Sequence, residues 1–518
     1  MKTAWRNTIG DLLRRSAGRM PDKEALIFEE RRWTYRQLEE MSNRLARQLL
    51  ELGLRKGDRV AAYGRNSDAY VLLWLAAAKA GLVHVPINYA LTGDELIYLV
   101  NQSGSKALFI DPELAQQVVA VEERLQVEIR GTLREGEKLD VFHLAGTGSG
   151  EPPEVEVEED DLVQLLYTSG TTSAPKGAMM THRAFIYEYI SSVQALDFRP
   201  DDSPLHALPL YHSAQMHVFL MPYLMLGATN RLLEGPDPEK VLQILGHEEI
   251  NSFFAPPTFW ITLLNHRDFQ VKSLQKAYYG ASIMPVPVVK KLQEVVKGLS
   301  LYNCFGQSEI APLATVLRPE EHEQRPDSAG KPVLFVELRV VDEEMEDVKP
   351  GQMGEILYRS PQLCQGYWEQ PEETEAAFAG GWFHSGDLAR IDEEGYIYIV
   401  DRKKDVINTG GVLVASREVE EVIYTHPAVK EVAVISTPDS KWVEAVTAVV
   451  VLKEGAVATE SELIQYAKQH LASFKVPKIL RFAEDLPRNA SGKILKRKLR
   501  EEWAEAGAVD SSASDHSF

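Results

Sequence analysis

Short apolar runs alternate with amphipathic stretches over most of the first 316 residues. Leu38, Met41, Leu45, Leu49 and Leu52 recur at helical spacing, and Gly53 ends the run. Residues 60–63 then read as a strand, 67–80 as an apolar helix closed by Gly81, and 82–85 as the next strand. Thr92 with Glu95 three residues on predicts a capping box for a helix to about Val100, followed by a strand over 107–110. Such alternation predicts parallel α/β layers. An acidic, proline-bearing connection over 151–161 interrupts the pattern, which then resumes. Beyond Gly330 the runs at 336–341, 355–358 and 395–400 are short and β-rich, with DEEG (392–395) as a hairpin turn, so a small β subdomain is expected. After the charged run DRKKD (401–405), helices around Val419–Ile423 and 463–471 and strands over 432–435 and 446–452 predict an α+β unit of about a hundred residues. The end, from about Ala504, is Ala/Ser/Asp-rich and reads as disordered.

Length changes this picture little: 518 residues suggest two to four domains at a prior of about 150 residues each. Lys+Arg of 56 against Asp+Glu of 76 leaves a net charge of −20, which argues against a nucleic-acid partner and requires local positive clusters if a polyanion is handled. Cys304 and Cys364 are the only cysteines, so no disulfide framework is expected and a reducing compartment fits. The N-terminus MKTAWRNTIGDLLRR lacks the apolar core of a signal peptide. The apolar stretches 69–86 and 219–229 are broken by Lys79, His84, Pro222 and Gly227, so neither reads as a membrane span. A soluble cytoplasmic protein is expected, and a homodimer is compatible with it.

The candidate chemistry centres on YTSGTTSAPKG (167–177), between a strand over 162–166 and one over 178–180, with Thr181 as N-cap of the next helix. A hydroxyl-rich glycine loop offers backbone N–H groups and short donors to phosphate oxygens. It is not a P-loop: Pro175 precedes Lys176 and Gly177 follows it, so the lysine does not open a helix. Taken alone, the loop also reads as an ordinary surface segment.

Further along stand PLYHSAQMH (209–217), YYGASIMP (278–285), NCFGQSE (303–309), GWFHSGDLA (381–389), DRKKDVI (401–407) and PRNASGKILKR (487–497). With the glycine loop and in this order, they make the chain resemble the acyl-CoA synthetases of the adenylate-forming superfamily, from about Trp33-Thr34-Tyr35 to Leu499. The resemblance implies an α/β fold: a large N-terminal domain (1–400) of two α/β subdomains plus a small β-barrel, a hinge at 401–405, a smaller mobile α+β C-terminal domain (406–503) and a tail (504–518). It implies a two-step ligase: a carboxylate attacks the α-phosphate of Mg-ATP to give acyl-adenylate and pyrophosphate, and the CoA thiol then displaces AMP.

The site residues it implies are these. Thr168, Ser169, Gly170, Thr171, Thr172 and Lys176 hold the leaving phosphates, and Glu309, with Thr168, binds Mg²⁺. Gly280, Ala281 and Ser282 line one side of the adenine. Asn303, Phe305, Gly306, Gln307 and Ser308 take its edge and other face; the family usually has tyrosine and threonine where this chain has Phe305 and Ser308, which retain a ring and a hydroxyl. Asp387 accepts the ribose hydroxyls, with Ile399 and Arg402 alongside. Lys493 meets the α-phosphate and the substrate carboxylate during adenylation only, and Lys404 is the hinge. After rotation, Gly410 and Gly411 would let the pantetheine arm of CoA pass. The segment VLVASREVE (412–420) departs from the polar, proline-bearing segment usual after those glycines.

For the acid, the resemblance makes His212 a gate, with Gln215, Met216, Tyr279, Gly280, Gly306 and Ile310 lining an acyl pocket. Apolar neighbours such as Phe219, Phe254 and Trp260 suit a hydrocarbon body. A medium- or long-chain fatty acid is the first expectation and an aryl acid the second. An adenylating enzyme that loads a carrier protein, a non-catalytic binding module and, weakest, a P-loop ATPase are the competing readings.

Overall fold

Why the first sheet forms is clearest at its buried helix. All thirteen residues of Asp68–Ala80 are buried, as expected for a helix apolar on every side, and Ser67 caps it by accepting the Tyr70 N–H at 3.1 Å. Asp68 at its start is held by the Arg31 guanidinium (2.6 and 2.8 Å) and by Trp33 Nε1 (2.7 Å), which settles a charge with no exposed surface. In this computed structural model, residues 5–134, 136, 139–168, 174–282, 284–409, 412–439, 442–488 and 494–502 are described.

The chain divides into two compact units, residues 1–338 with 358–383 and residues 339–357 with 384–518. The first unit holds two sheets. A six-stranded sheet runs Ile129–Thr132, Ser105–Ile110, Arg59–Tyr63, Val83–Ile87, Leu162–Thr168, Lys176–Thr181, parallel except for its last pair. A nine-stranded sheet has Ser252–Phe254, Lys276–Gly280 and Ser300–Gly306 as parallel neighbours, with Leu313–Leu317 antiparallel beyond them. Parallel neighbours with intervening helices are the layered arrangement expected from the sequence. Thr92 departs from it in detail: the helix Gly93–Gln102 starts after it, but its side chain makes no cap bond.

In the second unit the strands Val412–Val414, Ile407–Thr409, Val443–Leu452 and Val429–Asp439 form one sheet, with Ile479–Phe482 added to Val443–Leu452. The helices Ser416–Tyr424 and Glu460–His470 bury Val419, Ile423 and Leu463 with these strands. The expected β subdomain is a four-stranded sheet, Glu337–Val341, Met353–Arg359, Phe383–Ile391, Ile397–Arg402, most of which lies in this unit.

Buried histidines tie the first unit together. His217 Nε2 donates to Gln164 Oε1 (2.8 Å), so its Nδ1 accepts from Tyr189 (2.8 Å); Gln164 in turn donates to His84 Nδ1 (3.0 Å). His206 Nε2 donates to Asn230 Oδ1 (2.9 Å), and its Nδ1 accepts from Gln215 (2.8 Å). Burial holds His206 and His182 neutral down to about 4, and His84 to about 3. Unfolding lets each protonate near its ordinary value of about 6.5. Below that pH the unfolded chain takes up protons that the native one refuses, so stability falls by about 1 kcal/mol per pH unit per histidine until the native values are reached. Urea unfolding is expected to show a distinctly lower midpoint at pH 5 than at pH 7; equal midpoints would contradict the neutral assignments.

Candidate functional site

The glycine loop is framed by a hairpin. Leu162–Thr168 pairs antiparallel with Lys176–Thr181, which puts Thr168 directly opposite Lys176. Ser169, Gly170, Thr171 and Thr172 lie outside the described residues. At the hairpin mouth, Thr168 Oγ1 donates to Glu309 Oε1 at 3.1 Å, and the Tyr367 hydroxyl donates to the same oxygen at 3.2 Å. Glu309 is 8% exposed, on the one-turn helix Ser308–Ile310 that follows the strand Ser300–Gly306, and its carbonyl accepts the Cys364 N–H at 2.8 Å. The Lys176 ammonium lies 5.3 Å from the Tyr367 ring centre and pairs with Glu373, so the lysine reaches a phosphate only by exchanging that carboxylate for it. Sequence reasoning missed Tyr367 and Glu373; the only local cue is an aromatic pair after Gly366. Burial, with the Glu309 carboxylate next to it, pushes the Tyr367 hydroxyl well up, so it stays a donor.

Ser308 Oγ and Ser213 Oγ are 3.0 Å apart, which joins the Glu309 turn to the segment carrying His212. His212 Nδ1 accepts the Ala214 N–H at 3.3 Å, which fixes the ring. Directly after it, Ala214–Leu220 is a π-helix, with the Met221 N–H bonded to the Met216 carbonyl five residues back. Such widened turns are frequent at functional sites. Gln215 and Met216 are buried in it, but the Gln215 amide is committed inward to His206 and to the Leu208 N–H (3.2 Å).

Strand alternation sorts the remaining residues onto two faces. Tyr278 and Gly280 lie across from Tyr302 and Cys304, while Tyr279 lies across from Asn303. Phe219 of the π-helix lies 5.2 Å from Tyr278, and Phe254 stacks on Phe219 at 4.3 Å, so the Tyr278 face meets the π-helix. Tyr279 points the other way, into the core with Trp260 and Leu292, and its hydroxyl meets His322 Nε2 at 3.1 Å. Its neighbour Gly280 is on the π-helix face. Ile310 is buried. Asn303 donates to the Ser328 carbonyl at 2.8 Å, and Phe305, Gly306, Gln307 and Ser308 follow it, part-exposed, at the strand end. A Cβ at Gly280 would come within 2.3 Å of the Cys304 carbonyl oxygen, and one at Gly306 within 1.9 Å of that of Pro312, so neither position accepts a side chain. Ala281 and Ser282 are exposed beyond Gly280.

In the second unit, Asp387 and Arg402 are cross-strand partners, with Arg402 Nε 2.5 Å from Asp387 Oδ1. The Ile399 carbonyl accepts from Arg417. Asp401 accepts the Ser416 N–H and hydroxyl at 2.7 Å each, and Arg500 reaches Asp405 at 2.5 Å. Exposed Lys404 thus lies between two carboxylates tied to the C-terminal segment. Ser416 is buried by this contact, whereas Val412 and Leu413 are exposed. Gly410, Gly411 and Lys493 lie outside the described residues; Arg488 and Ile494, on either side of Lys493, bridge antiparallel.

Among the described residues no three His, Cys, Asp or Glu side chains form a metal cluster. One carboxylate beside hydroxyls still fits Mg²⁺, which takes few protein ligands and completes its shell with water and phosphate.

The AMP-binding enzyme family matches residues 13–368, and the AMP-binding enzyme C-terminal domain matches 418–493. A feruloyl-CoA synthase from Amycolatopsis sp is 36% identical over 470 residues, 90% of this chain and 93% of the relative. The long-chain-fatty-acid–CoA ligase FadD13 of Mycobacterium tuberculosis is 35% identical over 506 residues, 96% of this chain and 98% of the relative. The crystal structure of the anthranilate CoA ligase AuaEII in complex with anthranoyl-AMP superposes with a TM-score of 0.90 at 27% identity, covering 97% and 98% of the two chains. With the AMP-binding enzyme match spanning the hairpin and the Glu309 turn, and the C-terminal domain match following it, the chain belongs to the AMP-binding enzymes, as an acyl-CoA synthetase of the adenylate-forming superfamily.

Proposed function

We propose that this ligase activates an acid with an apolar body, a medium- or long-chain fatty acid or an aryl acid, and that the residues above carry the two steps. The observation that carries this reading is the Glu309 carboxylate, bracketed by the Thr168 and Tyr367 hydroxyls at the mouth of the glycine-loop hairpin. Thr168 and Lys176 hold the leaving pyrophosphate, and Asn303 and Phe305 position the base. Glu309 and Thr168 would hold Mg²⁺, which, when bound, neutralises phosphate charge. His212 orients the acid so that its carboxylate oxygen meets the α-phosphorus in line with the departing pyrophosphate. In the second step the CoA thiolate attacks the acyl carbonyl carbon and AMP leaves. Tyr278, Phe219 and Phe254 offer the apolar body an aromatic wall. The relatives named for feruloyl and long-chain acids support both acid classes.

A cytoplasmic setting is part of this proposal. Cys304 and Cys364 are free and buried, burial pushes the Cys364 thiol up to about 12, and no helix among the described residues is long and apolar enough to cross a membrane.

The test is acid-dependent pyrophosphate release across C2–C18 fatty acids and a set of aryl acids. Release confined to short, polar acids would overturn the assignment of an apolar body. Asp387 is assigned to the ribose hydroxyls, so Asp387→Ala is expected to raise the KM for ATP about tenfold or more, through loss of charged hydrogen bonds. An unchanged ATP saturation curve would remove it from the site.

A further inference from the structure

The helix His182–Ala195 presents a side chain that neither step uses. Glu188 is fully buried; the Ser192 hydroxyl donates to its Oε1 at 2.6 Å, and its Oε2 has no hydrogen-bond partner. One turn along, Ser191 donates to Gln362 Oε1 (2.7 Å), and Gln362 donates to the Leu313 carbonyl (3.0 Å), which ties this helix to the segment after Glu309. Phe198, just past the helix end, meets Tyr278 edge-on at 5.6 Å. Burial first, and the Glu188 carboxyl second, push the Cys304 thiol up, so Glu188 is felt on the face that Cys304 shares with Gly280 and Tyr278. That is the face turned to the π-helix, where the acyl body was assigned above.

A bare oxygen in such a layer is an unmet hydrogen-bonding capacity. Burial also drives Glu188 to its neutral form, so the group offers an O–H and a carbonyl without a charge to be paired. We infer that Glu188 is an acyl-specificity residue whose open carboxyl oxygen hydrogen-bonds a hydroxyl on the apolar acyl group, so that the preferred acids carry a neutral hydroxyl. An ammonium on the substrate would demand an ionised partner, and a second carboxylate would bring an uncompensated charge. This rests on the ligase reading of the same site and narrows its substrate class. A site built around a hydrogen bond discriminates strongly against the analogue that lacks it, because its own polar group is then left unpaired.

The experiment measures kcat/KM for CoA-dependent AMP formation with matched acids: cinnamic against 2-, 3- and 4-hydroxycinnamic, and C8, C10 and C12 fatty acids against their ω-hydroxy forms. Wild type, Glu188→Gln and Glu188→Leu are compared by the hydroxylated-to-plain ratio within each variant, which a change in folded fraction does not alter. The expected result is a wild-type ratio of about ten or more for at least one pair, retained in direction by Glu188→Gln and reduced about tenfold or more by Glu188→Leu. Ratios unchanged by Glu188→Leu in every pair, as when a buried water satisfies the oxygen, overturn the inference while leaving the ligase reading intact. Absence of AMP with every acid overturns the ligase reading itself, and this inference with it.

Discussion

Replacing Lys493 with alanine is expected to slow acid-dependent pyrophosphate release about a thousandfold, with thioester formation from supplied acyl-adenylate largely kept. The asymmetry follows from the charges. In the first step a carboxylate approaches an α-phosphate that is already anionic, so a cation aimed at both relieves a repulsion that peaks in the transition state. In the second step that repulsion is gone, because the acyl group is already bonded to the phosphate and the nucleophile meets a carbonyl carbon. The described residues on either side of Lys493 are tied down. Arg488 pairs with Glu431 at 2.9 Å, and the Leu495 N–H donates to the Pro487 carbonyl at 2.7 Å. Just beyond, Lys496 is anchored to Glu420 (2.8 Å) and to Ser416 (2.5 Å), which also holds Asp401. The check is each half-reaction measured separately; equal loss in both would show that Lys493 is not specific to adenylation.

Glu309→Gln is expected to lower pyrophosphate release about a hundredfold or more and to weaken its dependence on Mg²⁺. The amide keeps an acceptor oxygen for Thr168 and Tyr367, so the turn and the hairpin mouth retain their bonds and the charge alone is lost. A hard dication at phosphates prefers an anionic oxygen, and a neutral one holds it less tightly. The measurement is the rate across a Mg²⁺ titration with the thermal midpoint as control for folding; a wild-type curve would remove Glu309 from the metal role.

Local sequence signals carried much of the fold. Apolar spacing found the buried helix Asp68–Ala80, although Ser67 read as its first residue and is its N-cap; the cap at Thr181, which accepts the Ala184 N–H at 3.1 Å, was legible. The DEEG turn sets the register that brings Asp387 against Arg402. Non-local facts were harder to read. Two adjacent tyrosines look alike in sequence, and only the register with Ser300–Gly306 sends Tyr278 to the face that meets the π-helix and Tyr279 to the core behind it. The π-helix after His212 has the apolar spacing of an ordinary helix, since its widening depends on which carbonyl each N–H finds. The two hydrogen bonds that hold the Gln215 amide, to His206 and from the Leu208 N–H, join positions that no local pattern pairs. Tyr367 comes from a segment with no periodic pattern, and nothing local in the helix His182–Ala195 marks Glu188 as a buried carboxyl.

On the proposed mechanism, the Thr168–Glu309 mouth serves cleavage of ATP between its α- and β-phosphates, with the acid as nucleophile. Nucleotide products resolved by chromatography, with an acid and CoA both present, test it most directly. AMP and pyrophosphate should form in equal amounts with acyl-CoA and depend on the acid; ADP with orthophosphate, or nucleotide cleavage indifferent to the acid, would contradict the account.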